Sequence, residues 1–125
     1  MILDTNALSA WVDGDEAVGK ILKTAASLEL NSISMGEYRF GLLSSRKRAE
    51  YEKRLGLIEA DVPMLVIDAA IAVHYAAIRH ELKRKGRPIP YHDIWIAALA
   101  RQHRLPILSR DTHFDHIEQV RRIGW

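Results

Sequence analysis

The sequence predicts an α/β protein in which helices cover both faces of a mainly parallel sheet. Short apolar segments, typical of strands, alternate along the chain with longer segments of helical periodicity. One helical segment, which begins at Tyr91 or His92, is apolar almost all round, as expected of a buried helix. The chain has 125 residues, of which 48% are hydrophobic, so we expect one domain spanning residues 1–125 with its own core.

The first half of the chain is divided by turn and cap residues into two strands and four helices. Ile2-Leu3 is a short strand that stops at Asp4, and Thr5 or Asn6 can cap the helix that follows. The predicted elements are then a helix at Thr5–Val12, a turn at Gly14, a helix capped by Asp15 that reaches about Ala26, a strand at Leu28–Ile33, a helix from Ser34 to about Leu43 and a charged helix at Arg46–Ala60.

The second half continues the alternation. Met64–Ile67 is a continuous apolar segment, which predicts a fully buried strand. Asp68 caps a long helix that Gly86 ends. The remaining predicted elements are the buried helix, a strand at Leu105–Ser109 and an edge strand at Ile117–Ile123. Parallel strands joined in this way require crossover connections, which are right-handed.

Composition excludes several classes of protein. Cysteine is absent, which excludes a disulfide framework, a thiolate nucleophile and a Cys-ligated zinc site. No apolar segment is long enough to span a bilayer, and the N-terminus lacks the basic segment of a secretory signal. We therefore expect a cytoplasmic protein that does not bind a membrane. The G-x-x-x-x-G-K-[ST] loop of P-loop nucleotidases and the G-x-S-x-G nucleophile elbow are also absent.

Basic residues are grouped although the net charge is only +2. Groups of Lys and Arg can bind a phosphate backbone, but they also occur on solvated helix faces and at helix C-termini. Charge alone therefore leaves nucleic acid binding open. The groups are Arg46-Lys47-Arg48, Lys53-Arg54, Lys83-Arg84-Lys85 with Arg87, and Arg121-Arg122.

Four acidic residues stand near strand ends or helix starts: Asp4, Glu37, Asp93 and Asp111. Each has a simple structural explanation when taken singly. Asp4 can cap a helix, and Ser34-Met35-Gly36-Glu37 fits a capping box. Asp93 suits the first turn of a helix, and Asp111 can form an Asx turn. Asp68 has the same kind of position, and without the strand order its inclusion in a site stays open.

Taken together, the four acids predict a metal site. Converging carboxylates repel one another unless a hard cation binds them, and Mg²⁺ or Mn²⁺ is bound in proteins by carboxylates and water. One or two such ions can activate water for attack on a phosphodiester.

The same residues resemble the PIN-domain signature. The resemblance rests on Ile2-Leu3-Asp4-Thr5-Asn6, on Glu37 in an Ile-Ser-x-x-Glu context, on Asp93 before Ile-Trp-Ile-Ala-Ala-Leu-Ala, and on Leu108-Ser109-Arg110-Asp111 with Phe114. The order, the intervals and the total length are similar to those of the toxin subunits of VapBC-type toxin–antitoxin pairs.

This resemblance implies a three-layer α/β/α domain with strand order 3-2-1-4-5, which would place Asp68 at the far edge. It implies an endoribonuclease dependent on Mg²⁺ or Mn²⁺, often homodimeric and silenced by a small antitoxin. Asp4, Glu37, Asp93 and Asp111 would form its acidic quartet, with Thr5, Asn6 and Ser109 beside it. Asp111 stands where some members have Asn, which keeps the site fully acidic.

Alternative functions remain open at this point. An aspartyl-phosphate phosphatase with Asp4 as nucleophile needs D-x-D-x-T, but Asn6 and Leu8 stand at the second and third positions. His113-x-x-His116 beside Asp111 suggests a His-carboxylate metal site, although no third ligand is evident. A regulatory module that binds RNA or protein without catalysis is the non-enzymatic alternative. Apolar residues on the first four helices could form an antitoxin groove: Trp11, Tyr38, Leu42 and Leu43.

Overall fold

In the computed structural model, which describes residues 1–125, short strands and helices alternate as predicted. None of the helices has the length and apolar character that crossing a lipid bilayer requires. The elements are β1 (Ile2–Leu3), α1 (Thr5–Asp13), α2 (Glu16–Thr24), β2 (Leu30–Asn31), α3 (Ser32–Leu42), α4 (Arg48–Asp61), β3 (Met64–Leu65), α5 (Ala69–Arg84), α6 (Tyr91–His103), β4 (Ile107–Leu108), a 3₁₀ helix (Thr112–His116) and β5 (Arg122–Ile123).

The strands form two parallel ladders. β4 lies between β1 and β5 in one ladder, and β2 pairs with β3 in the other. A single bridge between Ile2 and Glu29 joins them, with the Leu3 amide donating to the Glu29 carbonyl at 3.1 Å. The Asn31 side chain then donates to the Leu3 carbonyl at 2.8 Å, where a continuous ladder would place a backbone amide. The predicted α/β class is confirmed. The expected single sheet of order 3-2-1-4-5 is replaced by two ladders, β2-β3 and β1-β4-β5, which meet at this bridge.

Helices cover both faces of the strands because successive strand residues point in opposite directions. Leu3 and Leu108 belong to a cluster with residues of α1 to α4, whereas Ile2 and Ile107 pack against residues of α5 and α6. Leu3, Leu108, Ile2 and Ile107 are all fully buried. The two clusters give the three layers of the predicted fold.

The prediction that Met64–Ile67 forms a fully buried strand is wrong. Only Met64 and Leu65 pair with a neighbour, and Met64 is 37% exposed. Val66 is 61% exposed and Ile67 41%. The physical reason is that β3 pairs on one side only, so one of its edges has no neighbouring strand.

The start of α3 differs from the prediction in a way that affects the site. The helix begins at Ser32 and its cap is Asn31, whose side-chain oxygen accepts from the Ser34 amide at 2.8 Å. Ser34 therefore lies inside the helix and does not form the expected capping box with Glu37. The Glu37 carboxylate is consequently available for other contacts.

Candidate active site

The four acids predicted from the sequence line one cavity of about 600 Å³. Asp4 follows β1, Asp111 follows β4, Glu37 lies on α3, and Asp93 lies in the first turn of α6. Since β1 and β4 are adjacent and parallel, their carboxyl ends bring the residues that follow them to the same edge. Asp68 does not line the cavity; its carboxylate caps α5 by accepting from the Ile71 amide at 3.0 Å.

Asp4 is the most firmly held member of the group. It is 4% exposed, and its carboxylate accepts from the Thr5 amide at 2.7 Å, from the Asn6 side-chain amide at 2.9 Å and from the Ser109 hydroxyl at 2.6 Å. Asp4 is itself the cap of α1, so the expectation that Thr5 or Asn6 has this role is wrong. Burial raises the pKa of the Asp4 carboxyl, and the nearby Asp111 and Glu37 carboxylates add to the effect.

Ser109 links the ends of β1 and β4. Its side chain is fully buried, and its hydroxyl donates to Asp4 while accepting from the Asn6 side chain at 3.1 Å and from the Asp111 amide at 2.9 Å. A hydroxyl has one donor and two acceptor lone pairs, and all three are used. Ser109 thereby fixes the relative positions of Asp4 and Asp111.

Glu37 and Asp93 face each other across His92. The Thr5 hydroxyl donates to one oxygen of Glu37, and the His92 Nε2 lies 3.3 Å from the other. The same Nε2 lies 3.3 Å from Asp93 Oδ1. The Asp93 side chain is 6% exposed, and burial raises the pKa of its carboxyl, while a contact with the His113 imidazole acts in the opposite direction.

Two histidines, His92 and His113, thus contact the acids of the site; of these, the sequence pattern indicates His113, paired with His116. His113 Nδ1 lies 3.1 Å from Asp111 Oδ1 and 3.3 Å from Asp93 Oδ2. His116, which the sequence paired with His113, instead contacts the Arg87 guanidinium at 3.4 Å and lies outside the cavity. The available signal was position: His92 adjoins Asp93, and His113 follows Asp111 by two residues within a turn.

The charges of the site are not balanced by basic side chains. None of the four carboxylates forms an ion pair with Lys or Arg; their only cationic contacts are the imidazoles of His92 and His113. Asp115 shows the contrast, because it pairs with Arg122 at 2.8 Å. Carboxylate and imidazole atoms of Asp93, Asp111 and His113 lie within 4.8 Å of one another. This donor set fits a divalent cation.

The cavity continues beyond the acids. Its further lining includes Tyr38, Ser45 and Tyr51, from α3, the segment after it and α4. The cationic groups of Lys47 and Arg54 lie 5.9 and 5.8 Å from the centre of the Tyr51 ring. The cavity thus extends from the acids to the Tyr51 ring, beside which Lys47 and Arg54 lie; Arg54 also pairs with Glu50 at 2.6 Å.

Comparison with known families identifies this architecture. The model of the PIN domain matches residues 1–120. The chain belongs to the PIN-domain family. The strands and the enclosing helices described above are those of the PIN fold.

Within the PIN-domain family, the chain is similar to VapC proteins. It is 28% identical to "Ribonuclease VapC5" of Mycobacterium tuberculosis, covering 90% of this chain and 84% of the relative. It is 33% identical to "tRNA(fMet)-specific endonuclease VapC" of Shigella flexneri, over 77% and 74% of the two chains. A solved structure of VapBC-5, from the VapBC family of toxin-antitoxin systems of M. tuberculosis, superposes with a TM-score of 0.79 at 28% identity, covering 99% and 97% of the chains.

Proposed function

We propose that this PIN domain, residues 1–125, is a metal-dependent endoribonuclease and the toxin component of a type II toxin–antitoxin system in the cytoplasm. The observation that carries the proposal is the group of four carboxylates without a Lys or Arg partner, gathered in one cavity. The names of its VapC relatives support the choice of RNA as substrate.

The proposed metal ligands are Asp4, Asp93 and Asp111, with Glu37 completing the acidic quartet, and the proposed ion is Mg²⁺ or Mn²⁺. A divalent cation in such a site stabilises charge on a phosphate and lowers the pKa of water. The protein's own contribution is to keep the carboxylates oriented and close together. Ser109, Thr5 and Asn6 do this through hydrogen bonds.

We propose that the RNA strand follows the cavity from the acids toward Tyr51. Nucleobases stack on aromatic rings, and phosphates bind Lys and Arg, so Tyr51 with Lys47 and Arg54 suits a nucleotide adjacent to the cleaved bond. The Tyr51 side of the cavity would then hold the strand while the carboxylates act on the phosphodiester.

The proposed protein partner is a small antitoxin, by analogy with the VapBC-5 complex. Phe40, Leu43 and Leu57 on and beside α3 and α4 are 76%, 61% and 65% exposed, which is unusual for large apolar residues that have no partner. Leu43 is the predicted groove residue among them. Tyr38 and Leu42 belong instead to the core.

The exposed edge at β3 suggests a homodimer. Val66, Ile67 and Val73 are 61%, 41% and 70% exposed and lie in the segment from β3 into α5. We propose that a second copy covers them. Val66→Lys should then convert a dimer to a monomer in light scattering, whereas an unchanged dimer would place the interface elsewhere.

The decisive experiment for the enzyme is cleavage of a structured RNA with Mg²⁺ or Mn²⁺, with and without chelator. We expect cleavage that requires the metal and that falls at least ~100-fold in Asp4→Asn, because a residue held at the reacting group contributes on this scale. Asp68→Asn is the control, since it alters an acid outside the cavity. Metal-independent cleavage, or full activity of Asp4→Asn, would overturn the proposal. RNA binding without turnover at saturating metal would favour the regulatory module.

A further inference from the structure

His113 occupies an unusual place beside the acidic quartet. Its Nδ1 lies within 3.3 Å of one oxygen each of Asp93 and Asp111. The backbone amide of His113 donates to Asp111 Oδ1 at 3.0 Å, which holds the turn that carries the imidazole. The ring is therefore held facing two carboxylates that belong to different elements, α6 and the segment after β4.

We propose that His113 is a nitrogen ligand of the metal centre and that it makes the centre prefer first-row transition ions such as Mn²⁺ and Co²⁺ over Mg²⁺. The inference rests on the metal-dependent function proposed above and specifies which ions that centre takes. Nδ1 binds through its lone pair when the ring proton resides on Nε2. Nδ1 of His113, Oδ2 of Asp93 and Oδ1 of Asp111 would then be ligands of the same ion.

The preference follows from ligand chemistry. Mg²⁺ binds oxygen in near-octahedral geometry and keeps several of its waters, so an imidazole nitrogen adds little to its affinity. Transition ions bind imidazole more favourably, with an affinity that rises from Mn²⁺ through Co²⁺ to Ni²⁺. A site of carboxylates alone would lack this discrimination, and the imidazole of His113 introduces it.

The geometry distinguishes His113 from the other histidines. His116 lies on the same 3₁₀ helix, but its Nε2 contacts the Arg87 guanidinium at 3.4 Å and not a carboxylate of the site. His92 lines the cavity, but its Nε2 is shared between Glu37 and Asp93. Only His113 reaches Asp93 and Asp111 together, and their three ligand atoms lie within 4.8 Å of one another.

The test compares Mn²⁺ and Mg²⁺ binding by calorimetry in the full-length protein and in His113→Gln, with His116→Gln as the matched control. We expect His113→Gln to lower Mn²⁺ affinity at least ~10-fold, with a much smaller change for Mg²⁺. His113→Asp replaces the nitrogen by oxygen, so it should retain metal binding and shift the preference toward Mg²⁺. An equal change for both ions in His113→Gln would overturn the proposal.

A spectroscopic readout makes the test independent of catalysis. Mn²⁺ bound to the wild-type protein should show ¹⁴N coupling in its electron spin echo spectrum, and this coupling should disappear in His113→Gln but persist in His116→Gln and His92→Gln. Coupling that survives in His113→Gln and disappears in His92→Gln would assign the ligand to His92 and overturn the proposal. If the wild-type protein binds metal and cleaves RNA with it, but His113→Gln has the same metal affinities and the same ¹⁴N coupling, only this inference fails. If the wild-type protein binds no divalent ion, the proposed function fails with it.

Discussion

Replacing Asp93 by Asn should make the metal-free protein more stable than wild type and the metal-bound protein less stable than wild type. Oxygens of Asp93 and Asp111 lie no more than 4.8 Å apart, and two unit charges at that distance repel by about 3.5 kcal/mol at an effective dielectric constant of ~20. His113 and solvent around the 33% exposed Asp111 side chain reduce this repulsion. We therefore expect metal-free Asp93→Asn to be more stable than wild type by about 1 kcal/mol, or roughly 4 °C in Tm.

With metal bound, wild type should instead be more stable than Asp93→Asn. At a concentration of 100 times Kd, binding stabilises a folded protein by about 2.7 kcal/mol, which corresponds to roughly 10 °C for a chain of this size. Wild type should gain this increment, whereas Asp93→Asn, which lacks one anionic ligand, should gain much less. Differential scanning calorimetry of both proteins, with chelator and with Mn²⁺, measures all four values.

The control for this cycle is Asp68→Asn. Asn caps a helix about as well as Asp, so the variant should melt like wild type both with and without metal. If Asp93→Asn were less stable than wild type in chelator, or if metal raised its Tm by the same amount, repulsion between the carboxylates could not be the force that the cation relieves.

Three further predictions concern the same site. Because burial raises the pKa of Asp93, the destabilisation from its charge is present at neutral pH and disappears as pH falls through the folded-state pKa. The advantage of metal-free Asp93→Asn should therefore shrink in denaturant titrations as pH is lowered from neutral toward the ordinary Asp pKa of 3.8, and a constant difference would contradict the assigned cause. Ser109→Ala should lower the free energy of unfolding by about 1–3 kcal/mol, because it leaves the buried partners of the hydroxyl unpaired. The control Ser44→Ala, on the exposed surface, should change the free energy of unfolding by less than ~0.5 kcal/mol, and similar losses in both variants would refute the role of the Ser109 hydroxyl. Tyr51→Leu should raise KM for RNA by roughly 5- to 150-fold, the equivalent of ~1–3 kcal/mol of stacking, while kcat changes little; a fall in kcat at constant KM would exclude a binding role.

The periodicity of the sequence was sufficient to predict the alternation of elements and both core faces. It was insufficient wherever two local patterns fit the same residues. Ser34-x-x-Glu37 and Asn31-x-x-Ser34 are both plausible helix starts, and the choice depends on the Leu3 carbonyl, which the Asn31 side chain also contacts. A contact between residues 28 positions apart in the chain cannot be inferred from local spacing.

The prediction of strand burial and of the histidine contacts was limited for the same reason, because both depend on tertiary contacts. Met64–Ile67 is as apolar as a central strand, but its exposure depends on having a neighbour on one side only. The four acids could be grouped by their positions near strand ends and helix starts and by the family resemblance, and the structure brings them into one cavity. The sequence pairs His113 with His116, whereas its contacts with Asp93 and Asp111, and those of His92 with Glu37 and Asp93, follow only from the tertiary structure.

The amide of Asn31 has a consequence for how the site opens and closes. One end of this side chain holds the Leu3 carbonyl, next to Asp4, and the other caps the helix that carries Glu37. A fluctuation that separates the two ladders at Asn31 would therefore move Glu37 away from Asp4, which stays bonded to Ser109 at the end of β4. Hydrogen exchange of the Ser34 amide and dissociation of a bound ion should then share a rate-limiting step, so the residence time of the ion would report the opening rate of the fold itself.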